Sequence, residues 1–135
     1  MIKEIKFPFQ PRFRQDVAMS QKIMSTRPKK LGKAGDYFWV NDGSEVETKC
    51  VLLATFKLRL WQVAGFLSDA EGFRNQDEFI KTWNDIYPQY NYEQCKQNNF
   101  WVHVFTPANQ WLGYDPDIRR APTIESITST EGKQQ

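Results

Sequence analysis

The chain has 135 residues, 40% apolar and 25% charged, which fits one globular domain whose core needs no metal or disulfide staples. Its formal net charge of +2 is too small to announce a nucleic-acid binder, and no apolar run approaches the roughly 20 residues of a membrane-spanning helix. Cys50, Cys95 and the single histidine, His103, form no CxxC or other ligand spacing, so no metal and no cofactor is expected.

The charge is unevenly spread. Through Lys33, nine Lys or Arg stand against Glu4 and Asp16, an excess of +7, while the remainder carries −5. That asymmetry points to an anionic partner for the first quarter, against the plainer reading of solvated surface lysines. The opening residues lack the continuous apolar core of a secretory signal, so a cytoplasmic protein with two reduced thiols is expected.

In chain order, Ile2 to Phe7 reads as a weak strand. Arg12 to Gln21 reads as a helix, with Phe13, Val17 and Met24 at roughly helical spacing. Ser25 to Arg27 is a second short strand, and Pro28 introduces an exposed basic loop carrying Lys29, Lys30 and Lys33. Tyr37 to Val40 is an aromatic strand entering a turn at Asn41-Asp42-Gly43-Ser44, where Asp-Gly tolerates the positive φ of a tight hairpin. Ala54, Phe56, Leu58 and Leu60 alternate with Thr55, Lys57 and Arg59, the clearest strand signal in the chain. The apolar run Val51-Leu52-Leu53 before it implies cover on both faces or a bulge.

Asn75 to Glu78 looks like a capping box, with Asn75 accepting from the backbone and Glu78 reaching back. Phe79, Trp83 and Ile86 then mark a helix that ends before Pro88. Phe100 to Phe105 is the last strand expected, with His103 as a satisfied core histidine. Residues 1–106 are taken as the domain and 107–135 as a C-terminal extension, partly packed and then disordered beyond about Ala121. Trp111, Leu112 and Tyr114 are too apolar for a free tail, so the 107–120 segment packs on the domain or meets a protein partner. There is no internal repeat and no glycine-rich phosphate loop; the whole reads as α+β, a small mixed β-barrel or sheet with two main helices.

Ser20-Gln21-Lys22-Ile23-Met24-Ser25-Thr26-Arg27, followed by Gly35-Asp36, resembles the Gly-x-Lys-Thr-x-Thr-x-Arg motif and Gly-Asp of ASCH domains in the PUA-like superfamily. Glu71-Gly72-Phe73, Glu78-Phe79, Trp83 and Asp85-Ile86-Tyr87-Pro88 resemble the acidic segment and helix of the same family. Ser20 stands where the family has glycine, Ile23 and Ser25 where it has threonines. The resemblance implies the PUA-like fold and, by analogy with small bacterial amidohydrolases acting on N4-acetylcytidine, a catalytic set of Lys22, Ser25 and Glu71.

Chemistry supports that assignment independently. A hydroxyl is a weak nucleophile until a base takes its proton, a lysine pushed towards neutrality can do so, and a carboxylate can then serve the leaving amine or the incoming water. Arg27 can hold a carbonyl or phosphate through its planar fork. Trp39 and Trp61 are the tryptophans expected to face a pocket and stack on a base. Two readings stay open: a nucleoside-directed amidohydrolase, and a noncatalytic RNA-binding module using Arg27, Lys29, Lys30 and Lys33. A third is an interaction protein docking through residues 111–114.

Overall fold

A computed structural model describes residues 2–41, 43, 45–108 and 118–120. Asp42 and Ser44 of the expected turn, Trp111, Leu112 and Tyr114, and the tail beyond residue 120 lie outside the described residues. Helix α1 spans Pro11–Ala18 and is followed by strands β1 (Met24–Arg27), β2 (Tyr37–Asn41) and β3 (Val46–Arg59). Helices α2 (Leu60–Phe66) and α3 (Gln76–Ile86) come next, then a single 3-10 turn at Pro88–Tyr90 and the one-turn helix α4 (Tyr92–Cys95). Strands β4 (Asn99–Pro107) and β5 (Ile118–Arg120) close the order. Among the described residues no helix is long and apolar enough to cross a membrane.

The strands form a curled antiparallel half-barrel in the order β1-β4-β3-β2, with β5 added to β3. This is the α+β architecture expected. Strand β3 is long enough to serve three neighbours: Glu47 to Val51 pair with β2, Cys50 to Arg59 with β4, and Val46 to Thr48 with β5. The register shifts between Leu52 and Ala54, so the apolar run there is a bulge, and Leu53 is left exposed. Beyond it Phe56 is 36% exposed, so the alternating face of β3 is less enclosed than its pattern implies.

Strand β4 carries the core on both sides. His103 and Phe105 meet Phe7 and Phe38, the last two rings 4.9 Å apart and stacked. On the alternate face Phe100 meets Trp83 of α3 at 5.0 Å. His103 is fully buried and satisfied, its Nε2 accepting from the Leu31 amide at 3.0 Å and its Nδ1 donating to the Ser25 carbonyl at 3.1 Å. Burial pushes its pKa down to about 4, which keeps the ring neutral.

Several boundaries differ from the sequence expectation. Ile2 to Phe7 is extended but only bridges, with Glu4 beside Tyr37 in parallel, because Pro8 curtails further pairing. Helix α1 ends at Ala18 rather than Gln21, since the amides of Gln21 and Lys22 both turn back to the Asp16 carbonyl; Met24 therefore belongs to β1. Helix α2 was not expected: Leu60 continues the β3 alternation in sequence, yet the amides of Leu60 and Trp61 bond the 96–98 turn and start a helix. In α3, Asn75 caps the Glu78 amide at 2.9 Å as expected, but Glu78 reaches the Arg74 amide, one residue further back.

Ser20 sits at φ 63°, with its Oγ buried and without a hydrogen-bond partner among the described residues. Left-handed backbone costs an ordinary residue about 1–2 kcal/mol, and a buried unpaired hydroxyl about 1–3 kcal/mol more. The extra unfolded-chain entropy of glycine offsets only about 0.4–1 kcal/mol. Ser20→Gly is therefore expected to stabilise the fold by about 1 kcal/mol or more, read as a higher urea midpoint at unchanged slope.

Candidate active site

The chain before β1 and the loop after α2 are tied together first by backbone. The amides of Ile23 and Met24 both bond the Ala70 carbonyl, at 2.9 and 3.0 Å. Gly72, at φ 95°, lets the loop turn directly beneath Lys22: an added Cβ would stand 3.2 Å from the Lys22 Cβ. Glu71 is thereby delivered to β1 at 3% exposure, next to Lys22 at 4%.

The polar contacts then follow from the edge position of β1. Thr26 pairs with Val102 of β4, and its amide points the other way, to Glu71 Oε1 at 3.4 Å. Thr26 Oγ1 donates to Glu71 Oε2 at 2.7 Å. Lys22 Nζ donates to the Glu71 carbonyl and stands 3.7 Å from its Oε1. Lys22 also lies over the rings of Phe13 and Phe73, at 5.1 and 5.4 Å. Burial lowers its pKa to about 8, opposed by the Glu71 charge and assisted by Arg27.

Ser25 and Arg27 project from the other face of β1. Arg27 Nε donates to Ser25 Oγ at 2.8 Å, and its Nη2 donates to the Pro8 carbonyl at 2.8 Å. The guanidinium lies over Phe7 at 4.4 Å and Phe9 at 5.1 Å. Ser25 and Lys22 share no hydrogen bond, so the hydroxyl–lysine pair expected from sequence is not formed in this state.

All these groups open onto one cavity of about 360 Å³. That lies at the lower end of the roughly 300–1,000 Å³ typical of small-molecule sites. Phe9, Phe13, Phe73, Phe79, Trp83 and Tyr87 give it aromatic walls. Lys22, Ser25, Glu71 and Arg27 are thus brought together as expected. Trp39 and Trp61 do not line the cavity: Phe38 and Val40 take the inward positions of β2, which turns Trp39 away, and Trp61 opens α2 at 37% exposure against Phe66. Lys29, Lys30 and Lys33 are exposed and lie outside it; Lys30 and Lys33 line a shallower hollow of about 400 Å³ with Lys3 and Asp36.

Sequence reasoning missed Thr26, Trp83 and Tyr87. Thr26 lies inside the motif, and Phe79, Trp83 and Tyr87 recur every four residues, a spacing that places them on one side of α3 and its cap. Among the described residues no group of three or more His, Cys, Asp or Glu side chains could hold a metal ion.

No family model matches the chain, and no curated protein matches it in sequence. Its fold is that of solved ASCH domains. An ASCH protein from Zymomonas mobilis aligns with a TM-score of 0.59 at 8% identity, covering 99% of this chain and 80% of that one. The ASCH domain from Lactobacillus crispatus aligns at 0.55 with 10% identity over 78% of each chain. A protein from Enterococcus faecalis aligns at 0.55 with 16% identity over 77% of each.

Glu71 is held by a buried cation and a hydroxyl, so removing the cation leaves a buried carboxylate half-satisfied. Lys22→Met is expected to cost about 3–5 kcal/mol, and Lys22→Met with Glu71→Gln distinctly less than the sum of the single changes. Urea unfolding of the four proteins in this cycle gives the coupling directly.

Proposed function

We propose, on the premise of an ASCH-domain fold, that this chain is an amidohydrolase that removes the acyl group from an N4-acylated cytidine. The observation that carries the reading is the convergence of Lys22, Ser25 and Glu71 on one aromatic-walled cavity of nucleoside size. Aromatic walls suit a planar base, and the polar groups that line the same cavity are those an acyl group would need.

In the first step the Ser25 O–H bond breaks, its proton passes to neutral Lys22, Oγ bonds the acyl carbon, and the carbonyl electron pair moves onto oxygen. The C–N bond then breaks as the proton passes by way of Glu71, which Lys22 contacts, to the departing amine. Water deprotonated by Glu71 then bonds the acyl carbon, the acyl C–Oγ bond breaks, and the proton returns to Ser25 Oγ as the acid is released. The first transfer requires the Lys22 side chain to turn from Glu71 towards Ser25, and its pKa of about 8 keeps a useful neutral fraction near neutral pH.

The second reading is noncatalytic RNA binding. It is favoured by the exposed cations of the basic loop and by a neighbouring cation of the sheet: Lys30 from the loop and Lys57 from β3 both lie over Trp101, at 5.2 and 5.0 Å.

Purified protein incubated with N4-acetylcytidine is expected to release cytidine, with Ser25→Ala and Glu71→Gln slower by roughly 100-fold to 10,000-fold. Because the active base is neutral Lys22, kcat/KM should rise with pH through about 8 and then level off. Full turnover by Ser25→Ala would sink the proposal. No turnover by any variant, with salt-sensitive RNA binding weakened by charge reversal at Lys29, Lys30 or Lys33, would favour the second reading.

A further inference from the structure

We propose that Arg27 is the positioning residue of this site, holding Ser25 Oγ through Nε and favouring the oxyanion form of that oxygen as it attacks. The inference rests on the amidohydrolase reading and assigns within it a task that Lys22 does not perform in this state.

The geometry separates the two cations. Lys22 Nζ is engaged with Glu71, both at the carbonyl and beside the carboxylate, whereas the hydrogen bond of Ser25 Oγ is the one from Arg27. That bond fills an acceptor position on Oγ and leaves its hydroxyl proton free to be donated elsewhere. The guanidinium is itself fixed. Its second arm is held by the Pro8 carbonyl and its plane rests on Phe7 and Phe9, so the donor stays at 2.8 Å without reorganisation as charge develops.

A fixed positive charge beside a partly buried oxygen acts more strongly than it does in water, because little solvent screens it. Arginine suits the task where lysine does not, since it remains charged under burial and its fork reaches Oγ and Pro8 at once. Lys22, softened by its surroundings, remains the group able to take the proton.

The test replaces the nucleophile with a reporter and needs no substrate. In a Cys95→Ser background, Ser25→Cys places a thiol at the same position, while Cys50 stays silent because burial pushes its thiol up to about 12. The pH dependence of iodoacetamide alkylation gives the titration of that thiol. With Arg27 present it should titrate below the ordinary value near 8.5. In the Arg27→Met partner the midpoint should move up by at least one pH unit, with about a tenfold slower reaction at pH 7. Arg27→Gln, which retains a donor without the charge, should move it as far, and carries the comparison if the Met variant does not fold. Coincident titrations with and without Arg27 would overturn the proposal. A lowered thiol in a protein inactive on N4-acetylcytidine would leave this inference standing and reject only the substrate.

Discussion

The site depends on one buried carboxylate. Glu71 joins three pieces of chain that sequence alone leaves separate: the turn before β1 through Lys22, the edge strand through Thr26, and the loop leading into α3 through its own backbone. Taking a carboxylate and an ammonium out of water costs several kcal/mol each, and their attraction seldom does more than offset that. What the pair supplies is location. The Thr26 amide points away from β4 into what would otherwise be an open sheet edge, and the Glu71 carboxylate occupies the place of a further strand. A strand there would close the sheet and leave no cavity; a carboxylate satisfies the edge and keeps the space.

That edge also explains why three consecutive residues can line one pocket. On an interior strand, alternation would send Ser25 and Arg27 to one face and Thr26 to the other, with neighbouring strands between them. Beyond β1 there is no such neighbour among the described residues. The cavity wraps the free edge and receives side chains from both faces, floored by the Pro8–Phe13 segment on one side and by α3 on the other. The two aromatic groups of the core, around Phe38 and Phe105 and around Trp83 and Phe100, hold those two covers against β4. Positioning the covers requires bulk, and the chain's many phenylalanines and tryptophans supply it.

Much of this was legible in sequence. Period-two alternation located β3 and helical spacing α3, short strand-like runs marked β1, β2 and β4, and the apolar run at Val51 to Leu53, which left double cover or a bulge open, is a bulge. Lys22 and Arg27 were reached through the ASCH motif they match, and Ser20 through standing where that motif has glycine, for which the positive φ gives the physical reason. Glu71 was reached only through the family resemblance, because a lone loop carboxylate before glycine has no periodicity to mark it. Trp39 and Trp61 were chosen for their chemistry alone. The inward alternation of Phe38 and Val40 already placed Trp39 on the other face, and a helix starting at Leu60 broke the pattern that governed Trp61.

Two cations and one carboxylate share the cavity, and burial treats the cations differently. Arg27 keeps its charge at any pH the protein meets, its planar fork satisfied by an oxygen, a carbonyl and two rings. Lys22 has as many partners, but an ammonium starts from a lower pKa, and desolvation, its largest influence, draws it towards neutrality, with Arg27 adding to the effect. In the proposed reaction one group is thereby a permanent charge and the other the proton carrier, although both begin as ordinary basic residues five positions apart. Exchanging them would undo both properties, since a lysine beside Ser25 could shed its charge and an arginine beside Glu71 could not release a proton. The proposed division of labour therefore needs both the residue type and the place where the chain buries it.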